Sequence, residues 1–201
     1  MRATCTRDKT SRYSTEFIAA SLASTRTWFG IAGPGVRKLG RFDAGFSDHT
    51  DVRPTMLALL GLKDDYVHDG RVLAEWIDSQ ALPQGIRSRA ENFVELAQVY
   101  KQLNAPLGLL SRKSLVYANR SITSDDATYG RYLSTIGSIT AERDDLATKI
   151  KTVLNSAAFN NQPVSEGAED GLGCQANALI DRVQDLADRG HDNARSRHFG
   201  E

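Results

Sequence analysis

The sequence predicts a mainly α protein with a small α/β remnant: a short buried strand and a capped helix, followed by a long antiparallel helical bundle or hairpin. Three observations predict it. Residues 84–188 carry apolar side chains three and four positions apart over long stretches, the spacing of one helix face. Before them, Trp28 to Ala32 is a short, mostly apolar run closed by Gly33-Pro34-Gly35, which fits a buried strand. Asp51 to Gly61 then carries both helix signals, a capping carboxylate and a glycine stop. Strand, turn, loop and capped helix together read as part of an α/β sheet.

Four regions follow along the chain. Residues 1–25 are weakly patterned, because Arg2, Arg7, Asp8, Lys9 and Arg12 break up the first dozen positions; Phe17 to Ala23 supply at most a helical turn or two. Residues 26–82 are the α/β piece, 83–190 the helical bundle, and 191–201 a charged, frayed tail. The 201 residues suffice for one or two domains and a substantial core. Lys and Arg number 25 and Asp and Glu number 25, so no net field draws the chain to nucleic acid or to a membrane surface. No apolar run approaches the roughly 20 residues of a membrane span, and the N-terminus has no apolar stretch of a signal peptide. Cys5 and Cys174 have no metal-ligand spacing and read as two free thiols.

In the α/β piece, Pro54 falls in the first helical turn, where its missing N–H costs little. Met56, Leu57, Leu59 and Leu60 cover much of a short helix that must pack against something larger. Arg71, Val72, Leu73 and Trp76 continue as a second packed element, read as helical. Pro83 marks the change to long polar helices. The first is expected over Gln84–Leu103 with Phe93, Leu96, Tyr100 and Leu103 as its seam, and a shorter one over Leu109–Asn119. The longest starts at Ser124, with Asp125 and Asp126 complementing its positive end, and runs to Phe159. Its seam is Tyr132, Ile136, Ile139, Arg143, Leu146, Ile150, Val153 and Ala157, a heptad pattern with one charged fault. Arg143 either pairs with Asp181 or Asp185 across the hairpin or packs its stem while its head reaches water, the favoured reading. Pro163 ends this helix. A last helix over Glu166–Ala187, closed by Gly190, repeats the spacing through Leu172, Ala176, Leu179, Val183 and Leu186; the short connection makes the two helices antiparallel.

The run "WFGIAGPGV", then "SDHTDVRPTMLALLGL", then "DGRVL", resembles the C-terminal segment of the alkaline phosphatase superfamily, the group of sulfatases, type I phosphodiesterases and phosphoglycerate mutases. The motif positions are Gly33, Pro34, Gly35, Asp51, Pro54, Thr55, Gly61, Asp69 and Gly70, and the match covers about residues 26–75. The later stretches "LKDDYVHDGRVL" and "QVYKQLNAPLG" look like a bacterial phosphoesterase-like branch. The resemblance implies metal-dependent hydrolysis of a phosphate or sulfate ester in the intact family, with Zn, Mn or Ca as the divalent metal. It also implies that most of the nucleophile and ligand set lies N-terminal to this segment. No histidine precedes His49, although the family places a His ligand just before the Gly-Pro-Gly strand. No catalytic residue and no cofactor are therefore expected in this chain.

Asp48 and His49 are the weak metal candidates, since a neighbouring Asp-His pair ligates metal in the superfamily. By position they match the loop after the strand, so a hydrogen-bonding loop is the first reading. Lys63 to Arg71 holds three carboxylates and His68 within six positions, but without EF-hand spacing, and reads first as a solvated connection. Two functions remain open. The chain is the C-terminal fragment of a superfamily hydrolase, an expectation with which an unpatterned start over residues 1–25 agrees; or it is a non-catalytic interaction protein that binds a protein partner through the helical hairpin 84–188. Compartment is not specified: the chain is cytoplasmic if translated as given, whereas intact relatives are often exported.

Overall fold

The computed structural model describes residues 28–42, 45–63, 66–119 and 125–198, with the side chains of the last helix described through Asp188. The elements are α1 (Val52–Leu60), α2 (Gln84–Arg87), α3 (Ala90–Asn104), α4 (Leu109–Asn119), α5 (Asp126–Phe159) and α6 (Glu166–His198). Short 3-10 turns lie at His49–Asp51, Ala74–Trp76 and Ser79–Ala81. The protein is mainly helical, with no sheet among the described residues.

The bundle forms where the periodicity placed it. Helix α3 is its centre and packs against α6, α5 and α4. Phe93, Leu96, Tyr100 and Leu103 are all fully buried, in one core with Ile150, Leu154 and Ala157 of α5 and Ala176, Leu179 and Val183 of α6. The expected Gln84–Leu103 helix is split in two: α2 stops at Arg87, and α3 begins at Ala90 because Arg89 leaves the helical conformation. Asp125 caps α5 by accepting a 2.8 Å hydrogen bond from the Thr128 N–H. Its carboxyl is held below the usual range by the Thr128 backbone N–H and hydroxyl. Ser124, the expected start, lies outside the described residues. Helix α6 does not close at Gly190 but continues to His198. An isolated glycine weakens a helix by only about 1 kcal/mol, too little to end one by itself. Arg182 of α6 pairs with Glu142 of α5 across the hairpin. Arg143 Nε lies 2.7 Å from Asp144 Oδ1 on the next residue.

The α/β piece differs more. Trp28 to Ala32 has no regular structure and pairs with no strand among the described residues, and the Trp28 side chain is 87% exposed. The expected short buried strand is absent, since a strand needs a neighbour for its backbone groups. One antiparallel bridge remains, between Val36 and Ile77, with Arg37 N–H donating to Trp76 O at 2.9 Å and Asp78 N–H to Gly35 O at 2.8 Å. Residues 71–73 are buried without regular structure, and only Ala74–Trp76 forms a turn of 3-10 helix, not the expected second helix. Helix α1 forms as expected and ends on Gly61 in the left-handed region (φ 63°), where the Leu62 N–H returns to Leu57 O at 2.9 Å. It buries Pro54, Thr55 and Ala58 but leaves Met56 and Leu60 exposed. Its apolar residues are thus only partly covered. Cys174 lies on α6, and the chain's other cysteine, Cys5, lies outside the described residues.

Candidate functional site

The densest polar constellation is built on the loop ahead of α1. Asp48 takes an extended conformation and caps the His49–Asp51 turn: its Oδ1 accepts from the Thr50 N–H at 2.9 Å. Asp51 Oδ2 reaches back to accept from the Asp48 N–H at 3.0 Å, closing a reciprocal capping box. Asp48, not Asp51, is therefore the side-chain cap, and Asp51 makes no cap bond to α1.

Asp51 does something the sequence did not disclose. It is completely buried, and its second oxygen, Oδ1, accepts from the Arg71 N–H at 2.9 Å. That bond carries residues 69–71 against the loop. Thr55 continues the seam: its hydroxyl donates to Asp51 O at 2.6 Å and accepts from the Leu73 N–H at 3.0 Å. Gly70 lies so close that a Cβ there would sit 1.9 Å from Thr50 O. The Asp69-Gly70 pair is thus fixed by close approach of two backbones, where only glycine fits. Arg71 clamps the far side, giving a bidentate ion pair to Glu75 at 2.6 and 2.8 Å and a 3.3 Å bond to Phe46 O.

The third strut comes from the bundle. Lys101 of α3 is 1% exposed, and its ammonium lies 2.7 Å from Asp48 Oδ2, 3.0 Å from Asp51 Oδ1 and 3.1 Å from Thr50 Oγ1. Burial alone would raise the Asp48 carboxyl, but hydrogen bonds from Lys101 and Thr50 and the Lys101 charge hold it below the usual carboxylate range. Beside it, the Tyr100 hydroxyl donates to Asp69 O at 3.1 Å and accepts from Asn104 Nδ2 at 3.0 Å. Burial and the nearby Asp69 charge push that phenol up. Asp69 also pairs with Lys151 of α5 at 2.8 Å.

The two metal candidates are separated in role. Asp48 belongs to the ion cluster, whereas His49 is exposed on its surface. In the Lys63–Arg71 stretch, His68 is buried between the Tyr66 and Phe159 rings, at 5.2 and 6.3 Å between centroids. Asp64 and Asp65 lie outside the described residues. No group of three His, Cys, Asp or Glu is placed to hold a metal among the described residues. The divalent metal implied by the resemblance does not fit the Asp48–Asp51 cluster, because Lys101 already fills it and both Asp51 oxygens hold backbone N–H groups. Gly33, Pro34 and Gly35 form a turn in which Gly35 (φ 78°) abuts Leu59 and Ala81.

Lys101, Arg71 and Glu75 were missed in the sequence. Lys101 did leave a signal: it follows Ala97 by four positions on the buried face of α3, where a lysine needs a carboxylate. No family model, no curated protein and no solved structure matches the chain.

Proposed function

We propose that this chain is the C-terminal scaffold part of an alkaline phosphatase superfamily hydrolase, whose nucleophile and most metal ligands belong to polypeptide outside it. In that reading residues 26–82 complete the α/β domain and the bundle braces it. The chemistry of the whole protein is metal-assisted hydrolysis of a phosphate or sulfate ester. The ordered motif, from Gly33-Pro34-Gly35 through Asp51, Pro54, Thr55 and Gly61 to Asp69-Gly70, supports it.

The observation that carries the reading is a concentration of partly exposed apolar side chains. Trp28, Phe29, Phe42, Val52, Met56, Leu60, Leu62, Tyr66 and Val67 are exposed, all in residues 28–67. Leu60 alone is 64% exposed. Val52, Met56 and Leu60, four positions apart on α1, put three of these side chains along one helix face, as a surface made to be covered would. The Asp51–Lys101 ion pair ties the start of α1 to the bundle.

The test is the intact mass of the native product, captured from its own cells with an antibody to the bundle. A product well above 22.0 kDa is expected. Its upstream part should restore hydrolysis of nitrophenyl esters with Zn²⁺, Mn²⁺, Mg²⁺ or Ca²⁺, absent from the isolated chain. In that isolated chain the Phe29–Ala32 amides should exchange quickly. A product of 22.0 kDa, or metal-dependent turnover by the chain alone that disappears in His49→Ala, overturns the reading. A second reading, partner binding through the hairpin, draws on Tyr129 and Leu133, exposed one turn apart on α5. A 22.0 kDa product whose partner is lost on Leu133→Ser would favour it.

A further inference from the structure

We infer that the oxygen cluster of Asp48, Thr50 and Asp51 is a site for an ammonium-type cation, permanently filled by the chain's own Lys101, and not a site for a divalent metal. The inference does not depend on whether the chain belongs to a hydrolase. Its first support is distance. The three oxygens stand 2.7, 3.1 and 3.0 Å from Lys101 Nζ, the range of N–H···O bonds. Calcium draws its oxygens to about 2.3–2.6 Å, and magnesium to about 2.0–2.1 Å.

The second support is that the cluster cannot contract. Asp51 Oδ1 also accepts from the Arg71 N–H and Oδ2 from the Asp48 N–H, so its carboxylate is fixed at both ends. Asp48 Oδ1 is engaged by the Thr50 N–H and hydroxyl. Turning the Asp51 carboxylate to chelate a small ion would strip the Arg71 N–H of its partner in a buried place. A third support is number: an ammonium has three N–H donors and meets three oxygens here, whereas calcium asks for six to eight. The other charged groups around the cluster are Arg71, tied to Glu75, and Asp69, tied to Lys151.

The experiment is chemical rescue read by thermal melting. In Lys101→Ala the midpoint should fall by about 6–20 °C, the cost of leaving a buried carboxylate unpaired in a chain of this size. Propylammonium at tens of millimolar should recover part of that loss, and no more than a trace of it in Lys101→Ala/Asp51→Asn. Calcium, magnesium and manganese at about 5 mM, far above the affinity of a built divalent site, should leave the full chain's midpoint unchanged. A rise of several degrees in the full chain with any of them, abolished by Asp48→Asn, overturns the inference. So does a Lys101→Ala variant that melts like the parent, or is rescued by calcium and not by the amine. Should Lys101→Ala not fold, the amine rescue is replaced by the metal titration of the full chain and of Asp48→Asn. Metal-insensitive melting in both then supports the inference, and metal stabilisation of the full chain refutes it.

Discussion

Replacing Gly70 with alanine asks directly whether the motif segment is held by close backbone approach. The added Cβ would fall 1.9 Å from Thr50 O, 2.2 Å from Thr50 C and 2.7 Å from Asp51 N. All three are backbone atoms of the capped turn, so no side-chain rotation relieves the clash. The two backbones must separate, and the 2.9 Å hydrogen bond from the Arg71 N–H to Asp51 Oδ1 breaks first. Overpacking costs about 1–3 kcal/mol and loss of a hydrogen bond to a buried charge about 1.5–3 kcal/mol. Together they give about 2.5–6 kcal/mol, a melting shift of roughly 5–24 °C. Urea unfolding followed by circular dichroism measures it, with the slope compared to confirm that only stability has changed. Gly167→Ala is the control, since a Cβ there meets nothing within 4 Å. A Gly70→Ala chain within about 1 kcal/mol of the parent would refute the reasoning, because it would mean that the two backbones do not touch.

Two further outcomes are expected. Thr55→Val keeps the shape but removes the acceptor for the Leu73 N–H and the donor to Asp51 O, so it should cost about 1–3 kcal/mol in the same unfolding assay, whereas Thr50→Val on the exposed rim should cost less. The Asp48 carboxyl sits below its ordinary value, so its contribution to stability is full above the unfolded value near 3.8 and is lost as pH falls through the lower folded value; acid unfolding should lose that component in Asp48→Asn, and a parent-like acid profile in the variant would contradict it.

The bundle was legible because it repeats. Phe93, Leu96, Tyr100 and Leu103 mark a face whether or not their partners are known, and so do Ile139, Leu146, Ile150 and Ala157. The helix end written in local chemistry at Gly61 was legible too, whereas α5, expected from Ser124, begins at Asp126 with Asp125 as its cap. Where an end depended on a weak breaker, as at Gly190, the helix ran on past it. The short strand was not legible, because Trp28 to Ala32 carries strand-like residues but no described neighbour to pair with. Asp51 reads as a helix cap from its place before Val52-Arg53-Pro54, yet it is spent on partners twenty and fifty positions away, Arg71 and Lys101.

The sequence by itself determined the mainly helical class, the position of the long hairpin and the local signals around α1, since each rests on periodicity or on residues within one turn. Only the tertiary structure decided that Asp48, Asp51, Gly70, Arg71 and Lys101 form one cluster. It alone decided that the apolar residues of α1 remain partly bare. Both turn on which distant surfaces meet, and a buried charge finds its partner through the fold rather than along the chain.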